Sequence, residues 1–98
     1  MSADTIVTTL RDHELELRAV GIERLAIFGS VARGDSGPDS DIDLLARFDE
    51  ARDLSMLDVI RAENLIADLL GQPVDLIEEG TLKPRIRRSA ERDMVRAF

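Results

Sequence analysis

The 98-residue sequence predicts a single α/β (α+β) domain, residues 1–98, with one small mixed sheet and helices packed against it. Two observations support this fold class: segments of helical apolar spacing alternate with short apolar runs, and glycine or proline marks most boundaries. A third is the length, which suits one modest core. Cysteine is absent and histidine occurs once, which excludes disulfides, thiol nucleophiles and multi-histidine metal sites.

The first half of the chain predicts a helix followed by two strands. Residues 4–20 are expected to be helical, because apolar side chains recur at helical spacing before Gly21. Residues 25–28 form an all-apolar run, typical of a strand buried on both faces, and a short helical turn follows. Residues 34–40 are almost all turn formers. Residues 41–48 then predict the second strand.

The next helix is predicted over residues 54–70. Ser55 and Asp58 resemble a capping box, and Gly71 follows as a stop signal. The expected apolar stripe consists of Met56, Val59, Ile60, Ile66, Ala67 and Leu70.

The C-terminal segment predicts a third strand, residues 74–77, and a basic helix. Thr81 is expected to cap this helix, with Pro84 in its first turn, and the helix is expected to run to the end of the chain. Residues 83–98 carry a net charge of +4, whereas residues 1–82 carry −11. The basic helix face is either solvated or contacts an acidic partner, or RNA held by that partner.

Two pairs of residues carry the candidate chemistry. Gly29 ends a buried strand and permits close backbone approach to a ligand. Ser30 lies where a helix would begin, so its hydroxyl and the unpaired N–H groups can hold phosphate oxygens. Asp41 and Asp43 are two residues apart on a strand, so they project from the same face and repel each other unless a cation lies between them. Asp39 alternates with Asp41, so 39/41 is the alternative pair.

Asp75 adds a third carboxylate if its strand pairs beside strand 41–48. Oxygen ligands suit Mg²⁺, which typically takes one or two carboxylates plus substrate phosphates. Three carboxylates, two cations and a triphosphate at a helix start form a site for phosphoryl or nucleotidyl transfer. The alternative is a polar turn followed by an acidic edge strand, in which charge prevents aggregation. His13 is expected to be solvated on a charged helix face.

Residues 28–34 and 40–44 together resemble the signature of the minimal nucleotidyltransferases, which belong to the DNA polymerase β-like nucleotidyltransferase superfamily. Residues 74–77 match the strand that carries the third acidic residue of this family. The resemblance covers nearly the whole chain. It implies a nucleotidyltransferase fold that binds ATP together with Mg²⁺, as two ions.

The resemblance also implies roles for individual residues. Asp41 and Asp43 would hold the metals, and Asp75 would complete the metal site and help to deprotonate the acceptor hydroxyl. Gly29 and Ser30 would cradle the β- and γ-phosphates. Arg33 also matches the family motif, and it either contacts phosphate or pairs with the acidic cluster.

Many small members of this family are antitoxins paired with a HEPN-domain ribonuclease toxin, onto which they transfer AMP. The resemblance therefore implies a protein adenylyltransferase that modifies a hydroxyl, expected to be a tyrosine, of a HEPN-type toxin. The alternative is a non-catalytic antitoxin that neutralises its toxin by forming a complex. Transfer to a small molecule is disfavoured, because 98 residues leave no room for an added acceptor domain.

The remaining expectations concern the surroundings of the protein. A net charge of −7 argues against direct nucleic-acid binding. No apolar run approaches the length of a membrane span, and no secretory signal is visible, so we expect a bacterial or archaeal cytoplasmic protein. The exposed apolar surface expected of so small a domain predicts association with a partner.

Overall fold

The computed structural model describes residues 2–34 and 41–98, which build a four-stranded sheet and its helices. The predicted turn residues 35–40, Asp39 and Ser40 among them, lie outside the described residues. The described elements are, in chain order, α1 (Ala3–Asp12), α2 (Glu14–Ala19), β1 (Ile22–Phe28), α3 (Gly29–Arg33), β2 (Ile42–Phe48), α4 (Met56–Leu70), β3 (Val74–Glu78), a 3₁₀ turn (Glu79–Thr81), α5 (Pro84–Asp93) and β4 (Val95–Arg96).

The strands are ordered β3-β2-β1-β4 in one mixed sheet. β1 pairs antiparallel with both β2 and β4, and β2 pairs in parallel with β3. The predicted fold class is confirmed, and so is the pairing of the second and third predicted strands. A parallel pair requires a crossover connection, which α4 supplies.

One face of the sheet carries the main core. Leu25 and Ile27 of β1 lie beside Ala46 and Leu44 of β2, and all four are buried. The helices cover this face with the buried side chains Ile6, Leu10, Leu17, Ala62, Ile66 and Leu70, which belong to the same apolar cluster. Residues paired across a sheet share a face, so the opposite face is left to Phe28, Asp43 and their neighbours.

The opposite face is covered only in part. Ala26 and Leu45 are buried there, although they lie outside the main core cluster. Met94, at the end of α5, lines a small cavity of about 70 Å³ together with these two residues. α5 therefore shields the middle of this face and leaves the end with Asp43 accessible.

The predicted helix over residues 4–20 is two helices, α1 and α2, separated by His13. The Nδ1 of His13 donates to the carbonyl oxygen of Thr9 at 2.9 Å, and the side chain is half-buried. The expectation of a solvated histidine on a continuous helix was therefore wrong. Within α2, Leu17 is buried in the core, whereas Leu15 is 86% exposed.

The predicted C-terminal helix was too long. α5 ends at Asp93, and β4 pairs with the free edge of β1 through Ala26 and Ile27. Arg11 of α1 donates to the carbonyl oxygens of Ala97 (2.7 Å) and Arg96 (3.2 Å), which fixes the extended end. An unpaired strand edge beside an anchored chain end favours pairing over further helix.

The start of α5 also differs from the prediction. Thr81 does not cap this helix: it lies in the 3₁₀ turn, and its hydroxyl donates to the Glu78 carbonyl oxygen at 2.8 Å. Lys83 occupies the N-cap position, and Pro84 is in the first turn as predicted.

The capping box of α4 is confirmed. The Ser55 side chain accepts from the Asp58 amide, and Asp58 Oδ2 accepts from the Ser55 amide at 2.8 Å. The apolar stripe is only partly correct, because Met56 is 77% exposed and Ile60 is 45% exposed. These side chains provide some of the exposed apolar surface that was expected. Among the described residues, no helix is long and apolar enough to cross a membrane.

Candidate active site

A row of three paired residues defines the candidate site. Phe28 at the end of β1 lies opposite Asp43 of β2, and Asp43 lies beside Asp75 of β3. Adjacent residues on neighbouring strands project from the same face about 5 Å apart. The two carboxylates therefore meet on the partly open face, as the sequence predicted, while Ile42 and Leu44 point into the core.

Gly29 brings the start of α3 against this row. Its backbone has a φ of +73°, a left-handed conformation that favours glycine. A Cβ atom at this position would lie 2.6 Å from Asp43 Oδ2. Gly29 therefore permits the contact between the first turn of α3, which also contains the half-buried Ser30, and the carboxylate of Asp43.

The electrostatics of the site centre on Asp43. Partial burial raises the pKa of its carboxyl above the ordinary value of 3.8, and the nearby charges of Asp75 and Asp41 raise it further. The guanidinium of Arg33 opposes this by lowering the pKa. Carboxylates that repel one another in a partly dry site would be stabilised by a cation.

The cation site predicted from Asp41, Asp43 and Asp75 stays a prediction. Within residues 2–34 and 41–98, no group of three or more acidic, histidine or cysteine side chains could hold a metal ion by itself. Asp41 was predicted to be the first residue of the second strand. It is exposed and lies one residue before β2 begins. Oxygen donors with mutual repulsion nevertheless fit Mg²⁺, which takes its remaining ligands from phosphates and water.

Arg33 connects the site to α5. Its Nη1 lies 3.6 Å from Asp93 Oδ2, and its charge also acts on Asp43. Between α3 and α5 lies a groove of about 360 Å³, lined by Phe28, Gly29, Arg33, Arg85, Ile86, Ser89, Ala90 and Asp93. The groove could not be predicted from the sequence, because only the packing of α5 against the sheet creates it.

Glu63 is a supporting residue that sequence reasoning missed. Its Oε2 accepts from the backbone N–H of Leu76 at 3.0 Å, across thirteen residues of sequence. β3 is an edge strand, so this N–H would otherwise lack a partner in the sheet. The contact fixes the strand next to Asp75.

We expect Glu63→Leu to lower the free energy of unfolding by about 1–3 kcal/mol, because it leaves the amide of the buried Leu76 without an acceptor. Glu63→Gln retains an acceptor oxygen and should lose much less. Urea unfolding of both variants measures the difference, with Asn64→Leu, at an exposed position of α4, as the control. Equal stability of the Leu and Gln variants would show that the hydrogen bond contributes nothing.

Similarity to known proteins agrees with this geometry. Residues 7–97 match the family described as "Nucleotidyltransferase domain". The chain belongs to this nucleotidyltransferase family. It is a nucleotidyltransferase enzyme of the minimal type, as the motif around Gly29 and Asp43 predicted.

Two archaeal relatives resemble this nucleotidyltransferase along most of their length. The protein adenylyltransferase MntA of Thermococcus cleftensis is 35% identical over 96 residues, which are 97% of this chain and 95% of the relative. A protein of Methanocaldococcus jannaschii, provisionally named a protein adenylyltransferase, is 40% identical over 88 residues, 88% of each chain.

Solved structures share the fold. One, provisionally described as a minimal nucleotidyltransferase, has a TM-score of 0.78 at 40% identity and covers 97% of this chain and 95% of its own. A chain from the complex of tri-AMPylated Shewanella oneidensis HEPN toxin with MNT antitoxin has a TM-score of 0.65 at 16% identity. The match covers 94% of this nucleotidyltransferase and 71% of that chain, and it demonstrates the common fold.

Proposed function

We propose that this nucleotidyltransferase is an antitoxin that transfers AMP from ATP to a tyrosine hydroxyl of a HEPN-type ribonuclease toxin and so inactivates it. The observation that carries the proposal is the row of Asp43 and Asp75 directly beside the glycine-led turn of α3. It provides adjacent sites for metal-bound phosphate and for proton removal.

The names of related proteins support this reaction class. The Thermococcus relative is a protein adenylyltransferase. A fold neighbour was solved with AMP-PNP in a toxin–antitoxin complex, and another with an AMPylated HEPN toxin. These related proteins suggest that ATP should be tested as the donor and a HEPN toxin as the acceptor.

The donor half of the site would bind ATP through α3. The first-turn amide groups and the Ser30 hydroxyl would hold the β- and γ-phosphate oxygens, with Gly29 admitting them closely. Arg33 would contribute positive charge next to these phosphates. Asp41, Asp43 and Asp75 would hold Mg²⁺, as two ions, which neutralises phosphate charge and makes the acceptor hydroxyl more acidic.

The transfer itself requires one proton acceptor. The tyrosine oxygen attacks the α-phosphorus, the bond from that phosphorus to the bridging oxygen breaks, and pyrophosphate leaves. The Asp75 carboxylate takes the proton of the hydroxyl. Asp75 suits this role because it is exposed, whereas Asp43 is half-buried beside α3. The acceptor protein must supply the rest of the orientation.

The decisive experiment is incubation of the protein with its HEPN partner and Mg-ATP, followed by mass spectrometry of the intact partner. We expect mass increases of about 329 Da for each AMP, set by the chemistry of AMP transfer. Asp75→Asn should prevent the increase while leaving the complex intact. An unmodified toxin that is still inhibited by the wild-type protein would instead establish a non-catalytic antitoxin.

A further inference from the structure

We propose that the outward face of α5, formed by Arg85, Arg88 and Arg92, is the docking surface for an acidic segment of the acceptor protein. We call these residues the arginine face. This inference rests on the proposed protein acceptor and adds the surface that recognises it. The three residues recur at spacings of three and four, so they share one side of the helix. All three are exposed.

The charge of the arginine face is not balanced within α5. The two acidic residues of the helix are each engaged by an arginine outside the face: Glu91 pairs with Arg87 at 3.4 Å, and Asp93 pairs with Arg33 at 3.6 Å. Arg87 also pairs with Glu79 at 3.0 Å. Among the described residues, no acidic side chain forms an ion pair with the arginine face.

The position of the arginine face connects it with the active site. Arg85 lines the groove between α3 and α5, and it also lines a second surface depression together with Arg88, Arg92 and Glu91, whose carboxylate is paired with Arg87. The same groove reaches Gly29 and Phe28, next to the carboxylates. A peptide held by its acidic side chains at the arginine face therefore lies beside the end of the site at which Asp43 and Asp75 meet.

The chemistry of the face favours a protein segment over RNA. Residues 1–82 carry a net charge of −11, which repels a long phosphate backbone but tolerates a short acidic peptide held at one positive helix. The chain has only three aromatic residues, all Phe, and two of them, Phe28 and Phe48, are half-buried or buried. Bases would therefore find little aromatic surface on which to stack.

Direct binding tests the proposal. The probe is a fluorescein-labelled peptide of glutamates around one tyrosine, measured by fluorescence anisotropy with the intact protein. We expect Arg88→Glu and Arg92→Glu each to weaken binding about fivefold, the upper range for an exposed ion pair, and more in combination. Arg61→Glu, an equal charge change on the exposed side of α4, should have little effect. High salt should weaken wild-type binding.

Two further probes decide which partner the face recognises. The same peptide with glutamines in place of glutamates should bind weakly. A single-stranded oligouridylate of equal charge should also bind weakly. Tighter binding of the oligouridylate than of the acidic peptide, or equal effects of Arg61→Glu and Arg88→Glu, would overturn the proposal.

The transfer assay separates this inference from the proposed function. In Arg88→Glu, AMP transfer to the HEPN partner should be slower because the KM for the acceptor is raised. The KM for ATP should be unchanged. Transfer that is normal in the combined Arg88→Glu/Arg92→Glu variant would refute the docking surface but not the reaction. Absence of transfer by the wild-type protein, with peptide binding that depends on the arginine face, would refute the reaction alone.

Discussion

Replacing Asp43 by asparagine is expected to lower AMP transfer by at least about 1000-fold, because in the proposed mechanism it removes a metal-binding carboxylate and with it several kcal/mol of transition-state stabilisation. The change keeps the shape of the side chain beside Gly29. Transfer to the partner is measured by mass spectrometry, and Asp68→Asn, at an exposed position of α4, is the control. Full activity of Asp43→Asn would show that the Asp43 carboxylate is not required for transfer.

The same variant should be more stable than the wild-type protein in the absence of nucleotide. Burial, Asp75 and Asp41 raise the pKa of Asp43 in the folded state. The protonated form is therefore favoured by folding, and this contribution is complete below pH 3.8 and is lost as the pH rises through the raised pKa. At neutral pH the charged Asp43 opposes folding, and asparagine removes that penalty.

Urea unfolding at several pH values measures this effect. The stability advantage of Asp43→Asn should be greatest at neutral pH and should shrink as the pH falls through the raised pKa towards 3.8. Adding Mg-ATP should raise the melting temperature of the wild-type protein by mass action, but not that of the variant. A variant that is less stable than the wild type at neutral pH would contradict the repulsion described here.

Gly29→Ala is expected to lower AMP transfer more than alanine at any other glycine that the structure describes. The left-handed backbone alone costs about 1–2 kcal/mol for a residue with a Cβ atom. The new Cβ would also lie 2.6 Å from Asp43 Oδ2, so the carboxylate or the turn must move. A displacement of about 1 Å at the reacting groups lowers transfer about 100-fold.

Gly71→Ala separates the cost of the left-handed backbone from the effect of the contact with Asp43. Gly71 has a φ of +70°, close to that of Gly29, but an added Cβ would meet nothing within 4 Å. We therefore expect a similar loss of unfolding free energy from the backbone and nearly normal AMP transfer. If both alanine variants lose AMP transfer equally, the contact between Gly29 and Asp43 does not account for the loss.

Local signals in the sequence were sufficient to predict the residues of the candidate site. Gly29 and Ser30 follow an apolar strand, and the alternation of Asp41 with Asp43 places carboxylates near the start of another. The capping box at Ser55 and the proline in the first turn of α5 were likewise predicted, because they depend on contacts within four residues. Such short-range patterns do not require knowledge of the tertiary structure.

Only the tertiary structure decided how these parts are brought together. The parallel register that sets Asp75 beside Asp43, and the hydrogen bond from Leu76 to Glu63, join residues far apart in sequence. β4 was missed because its two residues are extended only through pairing with β1 and through hydrogen bonds from Arg11. A two-residue strand has no periodicity to detect, and its conformation is stabilised by its neighbours rather than by its own sequence.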